Sequence, residues 1–554
     1  MRLFKTIAGL RTYLSMAQTG TLQEQLEGDC SSDSEWLEKT GRSAKTVGLV
    51  PTMGALHDGH LSLVQRARQD NDIVVVSIFV NPLQFGPNED LQRYPRTLEQ
   101  DCALCQQAGV DVVFAPSPEE LYGTAHPLQH TALTEVIPPA AMMAVLCGPI
   151  RPGHFEGVAT VVTKLFGIVQ PNRAYFGQKD AQQLAILQRV AQDLNSPVEL
   201  VACPIVREPD GLAMSSRNRY LSAEERAEAS GIFRSLQKAE HAFRRRLEAA
   251  DRSQSDRTLL LATVHAELAR TPAFQVEYVD LVHPQTLEPL EQIEQAGLLA
   301  IAARLGTTRL IDNIILRNRK PIVALDGPAG AGKSTVARRV ARELGVMYLD
   351  TGAMYRAVTW LVLQSGIAIT DEPAIAELVS QCEIRLEEPA ADSTTDVPQP
   401  LQVWINEQNV TQAIRSAEVT SQVSAIAAQA AVRQVLVRQQ QAYGRQGGIV
   451  MDGRDIGTYV FPDAELKVFL TASVQERARR RQLDLQNQGQ PIPDLETLEE
   501  AIYQRDMKDS TRAIAPLRKA ADAIELQTDG MTIEEVTARI VRLYKEKLSP
   551  SLVR

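Results

Sequence analysis

The stretch Ile322-Val-Ala-Leu-Asp326-Gly327-Pro-Ala-Gly330-Ala-Gly332-Lys333-Ser334-Thr335 decides the fold of the second half of the chain. An apolar run ending in an acid leads into G-x-x-x-x-G-K-[ST], and helical sequence follows to Leu344. Strand, phosphate loop and helix is the context that gives this motif its meaning. Backbone N–H groups of such a loop cradle phosphates, the lysine reaches the β/γ-phosphates, and the Ser334 hydroxyl is suited to Mg²⁺. Gly327, Gly330, Gly332, Lys333, Ser334 and Thr335 are therefore the expected ATP-binding residues of this half.

A different element lies far upstream, Pro51-Thr-Met53-Gly54-Ala-Leu-His57-Asp-Gly59-His60. It follows the apolar run Thr46–Val50 and enters a helical stretch, Leu61–Arg68. His57 and His60 then sit at i and i+3 on a helix start, where free amides and the macrodipole favour an anion. Gly54 permits a tight turn, and Gly59 lets a ligand approach the backbone. Two imidazoles there suit a triphosphate whose pyrophosphate leaves. On spacing alone the pair also fits a metal half-site or polar surface.

Working outward, Ile73–Val80 and Val110–Phe114 read as further strands, so the first half carries the βαβ pattern of a parallel sheet covered on both faces. Residues 207–318 read as a smaller α+β domain, with a helical stretch Ala223–Leu268 and strands Phe274–Val282 and Leu298–Ala303. The expected division is 1–206, 207–318 and 320–554. Thr19–Ser43 reads as a polar surface insertion, and Glu387–Gln402 as a disordered piece rich in Pro, Ser, Thr and Asp.

The 554 residues exceed what one hydrophobic core supports. A hydrophobic share of 44% and a charged share of 23% are those of an ordinary soluble protein. No apolar run approaches the ~18 residues of a membrane span. The N-terminus lacks the pattern of a secretory leader, so a cytoplasmic location is expected. A net charge of −10 argues against nucleic acid as a partner. Cys102 and Cys105 have no second pair for a zinc site and read as two half-buried thiols on one helix face. All eight histidines lie at or before His283. Histidine chemistry thus belongs to the first half, and phosphoryl transfer in the second needs none.

Pro51–His60 resembles the HxGH element of the nucleotidyltransferase superfamily. With it stand Phe79-Val-Asn-Pro-Leu-Gln84-Phe, Tyr94-Pro-Arg96, Arg151-Pro-Gly-His154-Phe, Phe176-Gly177-Gln-Lys179-Asp180-Ala-Gln-Gln183-Leu and Met214-Ser215-Ser216-Arg217-Asn. This ordered set resembles the pantothenate synthetase (pantoate–β-alanine ligase) family. The resemblance implies a Rossmann-like fold, ATP and Mg²⁺, and condensation of pantoate with β-alanine through pantoyl adenylate. It assigns Met53, Gly54, His57, His60, Gly177, Lys179, Asp180, Val206, Met214, Ser215, Ser216 and Arg217 to ATP, and Gln84 and Gln183 to pantoate and β-alanine. His60, His57 and Lys179 become catalytic. Asp180 either binds Mg²⁺ or orders the adenosine side; Arg96 and His154 have structural readings as well. The family usually has Glu where this chain has Gln178. The resemblance also implies a homodimer through this half.

In the second half, Leu349-Asp350-Thr351-Gly-Ala-Met-Tyr355-Arg356, Ile449-Val-Met-Asp452-Gly-Arg454-Asp455 and Arg505-Asp-Met-Lys-Asp509-Ser-Thr-Arg512 supply the arginine density that a transferring phosphoryl group requires. The set resembles bacterial cytidylate kinase, a P-loop nucleoside monophosphate kinase. By that resemblance Thr351, Arg356, Ser424, Arg433, Arg454, Asp455, Arg505, Asp509 and Arg512 face CMP or dCMP, with Lys333 and Arg512 catalytic. Some relatives have Ser where this chain has Thr351. The reading is a bifunctional enzyme. Its alternatives are a ligase carrying an inactive P-loop sensor or assembly module, and a different adenylating enzyme in the first half.

Overall fold

The computed structural model describes all residues except 20–44, 87–88, 90, 125–132, 250–253, 388–400, 488–491, 513–514, 521 and 549–554. Nearly all of the expected insertion at Thr19–Ser43, and most of Glu387–Gln402, lie outside the described residues. The chain divides into two compact units, Met1–Asn318 and Arg319–Arg554. No helix among the described residues is long and apolar enough to cross a membrane.

In the first unit β1 (Arg2–Phe4), β2 (Val47–Thr52), β3 (Ile73–Ile78), β4 (Val112–Phe114), β5 (Arg173–Gly177) and β6 (Glu199–Cys203) form one parallel sheet in the order β1-β4-β3-β2-β5-β6. The central strands are mainly apolar because both faces are covered. Leu49 and Val75 enter one core with Val161 and Leu165, whereas their neighbours Val50 and Val76 enter another with Val64 and Val113. Helices α1 (Ile7–Thr19), α2 (Asp58–Asp70), α3 (Leu98–Gln107), α4 (His154–Val169) and α5 (Ala181–Asp193) connect them. Strand order across the sheet reverses beside β2, which pairs with β3 on one side and β5 on the other. That switch point opens a crevice at the carboxyl ends of β2 and β5.

Beyond the sheet, α6 (Gly231–Ala249) and α7 (Asp256–Leu268) pack on three antiparallel strands, β7 (Phe274–Val282), β8 (Ala296–Leu305) and β9 (Thr308–Arg317). Sequence reading found two of these strands. The third returns from a tight loop in which Gly306 takes φ +57°.

The second unit repeats the parallel principle with β10 (Ile322–Asp326), β11 (Met347–Asp350), β15 (Ile449–Asp452), β16 (Leu466–Thr471) and β17 (Ile524–Gln527), ordered β11-β15-β10-β16-β17. A small antiparallel sheet, β12 (Ile384–Glu387), β13 (Gln402–Ile405) and β14 (Gln408–Asn409), stands apart. The longer helices of the unit are α8 (Lys333–Leu344), α9 (Thr351–Ser365), α10 (Ala417–Ala428), α11 (Ala430–Tyr443), α12 (Val474–Asn487), α13 (Leu495–Thr511) and α14 (Ile533–Leu548), with a shorter one at Glu372–Ser380. Alternation again splits β10 between two cores, Ile322 and Ala324 on one face and Val323 and Leu325 on the other.

Candidate active sites

The first site is built on the turn after β2. Gly54 has φ +83° and Ala55 φ +52°, so two successive residues are left-handed. The turn ends at His57, the N-cap of α2, whose Nδ1 accepts from the Gly59 N–H at 3.1 Å. His57 and His60 lie with ring centroids 4.1 Å apart. Burial, followed by the nearby Lys179, lowers His57 to about 4. Burial and the neighbouring His57 lower His60 to about 3. Both imidazoles are therefore neutral at neutral pH, and each offers an N–H rather than a positive charge. The Nδ1 of His60 is buried without a partner.

Around this turn the structure gathers most of the residues expected from sequence. Met214 stands over Gly59, where an added Cβ would meet its Cβ at 3.7 Å. Gln84 is buried and donates to the Met53 sulfur at 2.8 Å. Lys179, Asp180, Gln183, Ser215 and Arg217 line one cavity together with Arg151 and His154. Gly177 ends β5 beneath it, and the Val206 carbonyl accepts from the Met214 N–H at 3.0 Å. Ser216 opens the short helical turn Ser216–Tyr220. Lys179 Nζ is 3.6 Å from the Asp180 carboxylate. Burial acts to raise Asp180, but Lys179, His154 and Arg217 outweigh it and hold the carboxyl below its ordinary range.

His154 is braced from both sides, by the Gln84 carbonyl at 2.8 Å and Arg151 at 2.8 Å. Arg151 in turn grips Glu89 with two hydrogen bonds of 2.6 and 2.7 Å. Arg96 lines a separate hollow with Met53, Gly54 and Asp101. Gln178, the departure from the family, gives its carbonyl to the Asn313 side chain at 3.0 Å. Asn313 also holds the Lys179 carbonyl at 2.9 Å. The neighbouring Asp312 is buried in a fork with Arg207 at 2.6 and 3.0 Å, and these contacts tie β9 to the site. Cys105 is fully buried and Cys102 half-buried on α3, so the expected pair of half-buried thiols is corrected for Cys105. The apolar face of α3 meets the sheet at that turn.

The second site surrounds the phosphate loop after β10. Gly327, Gly330 and Gly332 take φ values of +147°, +76° and +84°. A Cβ at Gly327 would lie 2.1 Å from the Leu470 carbonyl oxygen. Lys333 begins α8 and donates to the Pro328 carbonyl at 2.6 Å. Burial, with Arg454 beside it, lowers its ammonium well below the ordinary lysine value. Ser334 donates to Asp452 at 2.5 Å, and Tyr348 donates to the other carboxylate oxygen at 2.9 Å. Burial and then Asp350 raise Asp452 to about 6. Thr335 is exposed on α8. Burial pushes Asp326, which accepts from the Ile456 and Gly457 N–H groups at 2.7 Å each, up to about 7.

The acceptor side converges at the ends of β11 and β15. Thr351 donates to the Asp452 carbonyl at 2.7 Å, and Arg356 pairs with Asp350 at 3.4 Å. Arg433, 1% exposed, is bonded to Asp455, whose other oxygen accepts from Arg512 at 3.3 Å. Arg454 donates to Asp509 at 2.9 Å. Arg505 lies on α13, and Arg512 caps that helix rather than continuing it, so the two arginines do not share a helix face. Ser424 is half-buried on α10, and no bond from it to the cluster is found among the described residues.

Sequence reading missed three supports. Asp101 accepts from the Ala55 and Leu56 N–H groups. Asp452, at the end of β15, accepts from Ser334 and Tyr348. Arg477 on α12 is 4% exposed and donates to the Ala329 carbonyl of the phosphate loop at 3.1 Å and to Asp506 at 2.6 Å. Only Asp452 carried a local signal, as an acid ending an apolar strand.

A dihistidine turn at the switch point of one parallel sheet and a phosphate loop facing an arginine cluster in another define two nucleotide-handling α/β enzyme units in one chain. The family model for pantoate-beta-alanine ligase matches residues 28–315, and that for cytidylate kinase matches residues 323–546. The bifunctional pantoate ligase/cytidylate kinase of Trichormus variabilis is 59% identical over 99% of this chain and 100% of its own. The protein of the same name from Acaryochloris marina is 58% identical over 90% of this chain and 92% of its own. The solved pantothenate synthetase of Thermus thermophilus is 43% identical over 57% of this chain and 99% of its own, with a TM-score of 0.47. On the family models and the full-length relatives, the chain belongs to the bifunctional pantoate ligase/cytidylate kinase family.

Proposed function

We propose that the first unit condenses pantoate with β-alanine and that the second phosphorylates CMP and dCMP, both at the expense of ATP. The observation that carries this reading is convergence: each unit brings most of its expected side chains near the carboxyl ends of its parallel strands, at the point where strand order reverses. In the first reaction the pantoate carboxylate attacks the α-phosphorus of ATP, the bond to pyrophosphate breaks, and pantoyl adenylate forms. The β-alanine amine then attacks the activated carbonyl, loses a proton, and AMP leaves. Gln84 and Gln183, each able to donate and accept, hold pantoate's hydroxyl and carboxylate. The neutral His57 and His60 donate N–H groups to the departing phosphates, and Lys179 and Arg217 balance the charge that develops.

In the second reaction Lys333 and the loop amides hold the donor phosphates, while Arg356, Arg454, Arg505 and Arg512 surround the transferred group. Thr351, Ser424, Arg433, Asp455 and Asp509 face the nucleoside monophosphate. Ser334 and Asp452 form the hard-oxygen pair that suits Mg²⁺. Held there with ATP, the ion would neutralise phosphate charge. In the first unit Asp180 is a single carboxylate beside an ammonium, a poorer donor set. We place the protein in the cytoplasm, as a dimer through its first unit.

The test uses the full chain. Wild type should form pantothenate from pantoate, β-alanine and ATP, and CDP from CMP and ATP. His60→Ala should cut adenylate formation by ~100- to 1,000-fold, roughly 3–4 kcal/mol. Supplied pantoyl adenylate should restore most turnover, and CDP formation should be untouched. Lys333→Ala should do the reverse. A chain that binds ATP in the second unit yet never makes CDP would favour the sensor reading instead.

A further inference from the structure

Asp101 lies in the first turn of α3 and is 2% exposed. Its Oδ2 accepts from the Ala55 N–H at 3.0 Å, and its Oδ1 accepts from the Leu56 N–H at 2.8 Å. The Thr97 hydroxyl donates to Oδ2 at 3.2 Å. Both carboxylate oxygens are therefore engaged by the turn that carries the histidines, or by its own N-cap. The turn is one a chain resists. Gly54 at φ +83° is at ease there, but Ala55 at φ +52° carries a Cβ into the left-handed region. Leu56 leads directly into His57, the N-cap that starts the helix bearing His60. A rotation at Ala55 or Leu56 would therefore redirect both imidazoles.

We propose that Asp101 is a positioning residue for the adenylation step: its carboxylate holds Gly54–Leu56 in the left-handed turn and thereby aims His57 and His60 at the departing phosphates. This rests on the reading of the first unit given above. Asparagine has the same shape but one acceptor oxygen, and its NH₂ would face an N–H that needs an acceptor.

The test measures pyrophosphate release from pantoate and ATP, β-alanine transfer from supplied pantoyl adenylate, and CDP formation, all with the full-length chain. Asp101→Asn should slow pyrophosphate release by roughly 100-fold, as a small misplacement of reacting groups does. Transfer and CDP formation should stay within about 2-fold, because neither uses the leaving-group contacts. Ala55→Gly, which removes the steric cost of the left-handed residue, should recover about 5- to 30-fold in the Asp101→Asn background. A residue that merely supported the fold would show no such rescue. If Asp101→Asn does not fold, Thr97→Val keeps the idea testable, with an expected loss of about 2- to 10-fold confined to pyrophosphate release. Full activity in Asp101→Asn, or a folded double variant no better than the single, overturns the proposal. Absence of pyrophosphate release in wild type would instead overturn the reading of the unit.

Discussion

At the scale of single residues, the two sites treat charge in opposite ways. The first keeps its histidines neutral by burying them beside Lys179. The second assembles arginines and holds four of them against carboxylates: Arg356 at Asp350, Arg454 at Asp509, and Arg433 with Arg512 at Asp455. An acceptor phosphate can replace such a partner without leaving the guanidinium bare. Asp455 is the exception in being shared, and it is buried. We propose that Arg433 and Asp455 read the pyrimidine, the arginine donating to the base and the carboxylate accepting from the exocyclic 4-amino group. UMP presents a carbonyl there and sets an acceptor against the buried carboxylate in place of the amino donor, at a cost of about 1–3 kcal/mol, or ~5- to 150-fold in kcat/KM. Asp455→Asn should narrow the CMP/UMP ratio, because an amide donates to uracil's carbonyl. It should also lower kcat/KM for both, since Arg433 and Arg512 lose their shared anion. Measuring both nucleotides in wild type and variant decides it. An unchanged ratio would remove Asp455 from base reading, and equal wild-type rates on AMP would end the cytidylate assignment.

At the scale of elements, the start of α2 makes a pH-dependent contribution whose sign follows from burial. The folded-state values, about 4 for His57 and about 3 for His60, lie below the ordinary 6.5. Their contribution to stability is thus complete above pH 6.5. It is lost as pH falls from there toward 4 and 3, because the unfolded chain takes up protons that the buried rings refuse. For His60 the loss should reach about 2 kcal/mol by pH 5. Thermal unfolding of wild type and His60→Gln between pH 7.5 and 5 should show the variant losing less Tm in the first unit as pH falls. Parallel curves would show that the ring is not refused its proton. This element was also the most legible in sequence, since an apolar strand, a glycine turn and a histidine-bearing helix start are contiguous. The phosphate loop was legible for the same reason. What holds these elements was not, because the partners are distant in sequence: Asp101 lies 46 residues from Ala55, Arg207 105 from Asp312, and Arg477 148 from Ala329. No local pattern links such pairs. Asp101, one of two acids in the first turn of α3, reads as ordinary helix surface until the sheet brings the turn beside it.

At the scale of the whole molecule, one chain carries two enzymes, each with buried clusters of its own among the described residues. The buried clusters of the first unit draw only on residues up to Leu316, and those of the second begin at Ile322. The boundary is sharp at the level of single bonds. Asn318 closes the first unit through its N–H to the Gln295 carbonyl at 3.0 Å and its side chain to the Ile293 carbonyl at 2.8 Å. Arg319 belongs to the second, bonded to Asp463 at 3.0 Å and Glu465 at 3.2 Å. A chain ending at Asn318 therefore breaks none of these bonds within the first unit. It should be soluble, unfold cooperatively, and make pantothenate with a kcat/KM within about 2-fold of the full chain, because the first unit holds its own buried clusters and the residues of its proposed site. A chain beginning at Arg319 should likewise retain CMP phosphorylation. Cutting one residue later, before Lys320, should cost the second piece more than the first, because the Arg319 guanidinium is buried against two carboxylates that would lose it. Activity assays and thermal unfolding of the separated pieces decide the matter. A folded first piece that binds ATP but forms no pantothenate would mean that the second unit takes part in the first reaction.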